Sequence, residues 1–81
     1  MSALSYETGS SMPVSELRVP FLRAWRVHAL LTLPELAARS LVSRSTIIRA
    51  EQGRPVGILT AERLARALGC TTEQLQNEKP S

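Results

Sequence analysis

The sequence predicts an all-α fold, a compact bundle of about five short helices, and three observations carry that expectation. Apolar residues recur at helical spacing in several separate stretches, those stretches are bracketed by cap or stop residues, and no alternating apolar run reaches the length of a strand. At 81 residues there is room for one compact core and little more. The expected organisation is a flexible N-terminal arm over 1–18, a helical domain over 19–76 and a frayed end over 77–81. The arm mixes Ser, Gly, Glu and a Pro with scattered apolar residues. For 14–19 the alternative is a short extended segment that pairs or docks against a partner.

Pro20 suits the opening of a first helix running to about Ala29, with Phe21, Leu22 and Trp25 facing inward. Arg26 shares the face of Leu22, Trp25, Ala29 and Leu30, so a charge sits in an apolar stripe and needs a partner. Thr32 and Glu35 have the spacing of a capping box, and Pro34 falls in the first turn, where its missing donor costs little. Leu33, Leu36, Ala37 and Ser40 then share one side of a helix of about two turns. Leu41 and Val42 follow, Ser43 is the next N-cap, and a further helix runs from Arg44 to about Gln52 before Gly53 stops it. Ile58, Ala61, Leu64, Ala65 and Leu68 mark a fourth helix ended by Gly69. Thr71 and Gln74 form a second capping box for a last short helix carrying Leu75.

Two short helices joined by a tight turn and closed by a glycine, over 32–53, are the pattern of a helix-turn-helix, which points to transcriptional control. The second of these helices has unlike faces. Ile47, Ala50 and Glu51 lie on one side and are expected to be buried, with Glu51 the candidate partner of Arg26. Arg44, Ser45, Ile48, Arg49 and Gln52 lie on the other and are offered to a partner. The arginines suit phosphates or guanine edges, Ser45 suits either, and Ile48 suits a thymine methyl.

Charge is concentrated on the same region. Residues 20–69 hold eight Arg against three Glu, a surplus of five, while the whole chain carries +3. Nine of the ten basic residues are Arg, which favours bidentate contacts to phosphate, guanine or carboxylate. Catalysis has little material: one His, one Cys and no Asp make neither a metal cluster nor a nucleophile triad, so no enzyme, metal or cofactor is expected. His28 reads as a helix surface residue and Cys70 as a small hydrophobe. A single cysteine, no signal peptide and no apolar stretch of membrane-spanning length fit a cytoplasmic protein without membrane contact.

Through LRAWR, LTLPELA, VSRSTIIRAEQG and LARALGCTTEQL, the chain resembles the Cro/repressor (Xre) helix-turn-helix family from about Leu22 to Leu75. The resemblance implies a five-helix domain whose third helix enters the major groove of double-stranded DNA, usually as a homodimer on a two-fold operator. It also implies that Arg44, Ser45 and Arg49 read bases, that Gln52 and Arg54 touch the DNA backbone, and that Arg26 and Glu51 form a structural ion pair. The chain departs from the family at three positions. Leu33 replaces a Gln that anchors the second helix to phosphate, and Leu30 and Leu41 replace glycines at the turns. Since a leucine with positive φ is unfavourable, these two turns are expected to take another geometry or to lengthen the preceding helix.

Two functional readings follow. The first is a repressor or autoregulator binding an operator through Arg44, Ser45, Ile48 and Arg49. The alternative is an antiactivator that binds a transcription activator protein through Leu33, Ile48 and the neighbouring arginines, with little or no DNA affinity. For Leu33 the competing reading is plain packing against the first or fourth helix. If there is a homodimer, Leu75 and the C-terminal residues are its expected interface.

Overall fold

The computed structural model describes residues 16–81. Five helices and one small antiparallel sheet follow in the order β1 (Glu16–Leu17), α1 (Leu22–His28), α2 (Leu33–Ser40), α3 (Arg44–Glu51), β2 (Val56–Gly57), α4 (Ile58–Leu68) and α5 (Thr72–Asn77). The all-α expectation holds, with one addition: Glu16 pairs with Gly57 and Leu17 with Val56. Strands of two residues are too short to show alternation, which is why the sequence pattern does not reveal them. They also fix residues 16–17, assigned from sequence to an arm with a short extended segment over 14–19 as the alternative, and the pairing fits that alternative; residues 1–15 lie outside the described residues.

The core is assembled from every element of the bundle. Val19, Leu22, Leu36, Ile47, Ala50, Ala61, Leu64 and Leu75 are fully buried, with Leu31, Val42, Val56 and Ala65 nearly so. α2 packs on both α3 and α4, α5 packs on α4, and α1 touches α3 and α5. Helices of six to eleven residues are marginal alone, so this burial is what keeps them folded. Leu75 is part of that core, and its carbonyl accepts from Phe21 N at 3.1 Å. It is therefore unavailable as the dimer surface expected from sequence, because the first and last helices of one chain already consume it.

Local signals set the helix ends. Thr32 accepts from Glu35 N while Glu35 Oε1 accepts from Thr32 N at 2.8 Å, and Thr71 and Gln74 repeat this box. Ser43 caps α3 by accepting from Thr46 N at 3.3 Å. α1 differs slightly: Pro20 stands in the turn before it and Phe21 is its cap residue. Phe21 and Trp25 are half-buried, and Ile58, expected inward, is 39% exposed at the first turn of α4. The C-terminal end, expected to fray, is tied to α1: Trp25 Nε1 donates to Glu78 O at 2.8 Å and His28 Nε2 lies 2.9 Å from Ser81 O.

Four helices end in the left-handed region, at Leu30 (φ 61), Leu41 (φ 62), Gly53 (φ 91) and Gly69 (φ 72). The expected avoidance of that conformation by the two leucines is thus wrong. Their ends are closed by backbone bonds that require it. Leu30 N donates to Val27 O and Leu31 N to Arg26 O, the same paired arrangement that Gly53 and Arg54 make at the end of α3. Leu41 N donates to Ala37 O, and Val42 N takes Ser40 Oγ instead of a backbone carbonyl. Burial of Leu31 and Val42, each immediately after its turn, helps offset a left-handed cost of about 1–2 kcal/mol per leucine.

Candidate functional site

The site is built on α3, and its geometry starts from the buried side. Ile47 and Ala50 are fully enclosed, which fixes the rotation of the helix about its axis. Arg26 fixes its tilt against α1: Nε donates to Glu51 Oε2 at 2.6 Å and Nη2 to Glu51 Oε1 at 3.2 Å. The remaining guanidinium nitrogen, Nη1, donates to Leu31 O at 2.9 Å, so the same side chain braces the turn that leads into α2. Both side chains are mostly buried, 13% and 11% exposed. Such a pair contributes little net stability but penalises any arrangement that separates it.

With the inner side held, Arg44, Ser45, Ile48, Arg49 and Gln52 all face solvent, and Arg54 is exposed just beyond the helix. Arg49 is lightly held, with Nη2 donating to Thr46 Oγ1 at 3.4 Å. Arg26–Glu51 is the one ion pair formed among the described residues, so the arginines of this face keep their charge available. Ile48 is 40% exposed in the middle of them. Leu33 does not stand out as an exposed side chain: it is half-buried and packs against the core.

One contributor has no local signal in the sequence. Arg18, just after β1, sends Nη1 to the carbonyl of Gly53 at 2.6 Å and so clamps the C-terminal end of α3. Its partner lies far along the chain, and only the β1–β2 pairing brings the two together.

Glu35 is held below a glutamate's ordinary value, first by the Thr32 backbone amide, then by the Thr32 hydroxyl, with a weaker contribution from Arg39. Burial pushes the Cys70 thiol up, away from reactivity. Among the described residues there is no cluster of His, Cys or acidic groups able to hold a metal, and no helix is long and apolar enough to cross a membrane.

The arrangement can present arginine, hydroxyl and one aliphatic group from a single rigid helix, which suits recognition of a groove rather than chemistry on a substrate. Comparison with known proteins agrees. The family described as helix-turn-helix, a regulatory DNA-binding domain and not an enzyme family, matches residues 22–75. No curated protein and no solved structure matches the chain.

Proposed function

We propose that this chain, which belongs to the Cro/C1-type helix-turn-helix family, is a sequence-specific DNA-binding repressor or autoregulator that places α3 in the major groove. The observation that carries this reading is the division of α3: Ile47 and Ala50 are locked in the core while Arg44, Ser45, Ile48, Arg49 and Gln52 form one exposed face. An α-helix with its side chains is about 10–12 Å across, which a major groove about 12 Å wide admits. Arg44 and Arg49 reach guanine edges or phosphates, Ser45 either, and Ile48 a thymine methyl. Gln52 and Arg54, at the far end, bind the sugar-phosphate backbone and set the register. Two copies on a two-fold operator would double this contact.

A gel shift with DNA from upstream of the protein's own gene, at two salt concentrations, tests the reading. A sequence-specific shift that weakens steeply as salt rises is expected, because each neutralised phosphate releases counterions. Absence of any specific shift at low salt contradicts it.

The exposed sec-butyl group of Ile48 favours a second reading. Ile48 is 40% exposed among arginines, and Leu33 stands where a polar phosphate anchor is usual in the family. An aliphatic patch with an arginine rim suits a protein surface, so an antiactivator that captures a transcription activator is the alternative. It predicts loss of protein partner, not of DNA, when Arg49 is truncated.

A further inference from the structure

A hollow of about 280 Å³ lies between the C-terminal end of α2 and α4, and no residue of α3 lines it. Its walls are Arg39, Ser40, Leu41, Arg63, Arg66 and Ala67. All three arginines are exposed. Glu35 stands one turn before Arg39 and Glu62 one turn before Arg66, yet neither closes into an ion pair.

Basic residues in the last turn of a helix favour its dipole, and that accounts for Arg39 in α2 and Arg66 in α4. It does not account for Arg63, in the middle of α4, nor for Leu41. That leucine is 77% exposed and held at φ 62, a conformation glycine adopts freely. It costs the fold twice, once in backbone strain and once in apolar surface left in water. Ser40 offers no donor to a ligand, since its hydroxyl proton goes to Leu36 O at 2.7 Å while its oxygen accepts from Val42 N at 3.3 Å.

Leu41 is thus an apolar knob beside three guanidinium groups that form no ion pair among the described residues. A bare phosphate would use the arginines and leave Leu41 in water, whereas acidic side chains flanking an apolar one would use all four. The geometry points to a docking site for an acidic, apolar-anchored segment of a partner protein, held by Arg39, Arg63 and Arg66 around Leu41. A second copy of the chain is not the occupant. The chain carries +3, and Leu75, the leucine between its two closest acidic residues, Glu73 and Glu78, is fully buried in the core, so that segment is not free to dock.

The test is fluorescence anisotropy of the full chain with a labelled peptide in which glutamates flank a leucine, beside a control with glutamine in place of glutamate. The acidic peptide is expected to bind, to weaken as salt rises, and to lose its affinity when its glutamates are replaced. Leu41→Gly is expected to weaken binding about tenfold while raising the melting temperature, because glycine relieves the left-handed strain as it deletes the anchor. Arg63→Ala with Arg66→Ala, at two exposed positions, is expected to keep the fold and to lose at least about tenfold in affinity. Failure of the acidic peptide to bind, or binding that survives both sets of substitutions, overturns the site. So does an arginine variant that keeps the peptide but loses non-cognate duplex DNA, which would make the hollow a phosphate surface. Operator binding by α3 is not read in this experiment, so the two proposals fail separately.

Discussion

The inner and outer sides of the helix-turn-helix use the same residue types for opposite ends. On the inside, Arg26 spends every nitrogen of its guanidinium on Glu51 and Leu31, and the helices around it are locked. On the outside, Arg44 and Arg49 carry the same group in solvent with no acidic partner among the described residues. An arginine that is fully committed builds the scaffold, and one left open is available to a ligand. Substitutions on the two sides should therefore separate stability from binding.

The largest effect is expected inside. Glu51→Ala strands the Arg26 charge against the core and should lower the unfolding free energy by about 3 kcal/mol in urea denaturation. Unchanged stability would erase the distinction between the two sides. Arg49→Ala should do the reverse, reducing operator affinity by roughly tenfold or more while stability stays within about 0.5 kcal/mol. A smaller effect of opposite sign is expected at the first turn. Leu30 is 88% exposed at φ 61, and Leu30→Gly should stabilise the fold by about 0.5–1 kcal/mol, seen as a higher urea midpoint, with DNA affinity unaltered.

The smallest effect is pH-dependent. Glu35 has a folded-state pKa below its ordinary 4.5, so its capping contribution is present above that value and is lost as pH falls through the lower folded value. Urea midpoints of the wild type and Glu35→Gln should differ near neutrality and converge in acid. A gap that persists unchanged in acid would remove the carboxylate's charge from the account of the cap.

What could be read from the sequence was what depends on neighbours a few residues apart. The Thr32–Glu35 and Thr71–Gln74 boxes, the Ser43 cap and the Gly53 and Gly69 stops are local chemistry, and all are present in the fold. Arg26 announced a need for a partner because it interrupts an apolar stripe. The outer face of α3 was legible for the same periodic reason. Contacts between distant segments left no such mark. The β1–β2 pair and the Arg18 clamp on Gly53 depend on a meeting of chain segments that no periodicity encodes. Leu30 and Leu41 were misjudged because intrinsic preference opposes their conformation, while the closing hydrogen bonds and the burial that follows override it. The hollow between α2 and α4 joins Arg39 to Arg63 and Arg66 only after folding.

The central claim is that α3 meets DNA with its outer face while its inner face only holds the helix. Titrating isotopically labelled protein with the upstream duplex and following backbone amide resonances tests this most directly. The account predicts that the largest shifts fall at residues 44–52 and at Arg54, with the surface around Leu41, Arg63 and Arg66 little changed. Shifts confined to that second surface, or none at low salt, would contradict it.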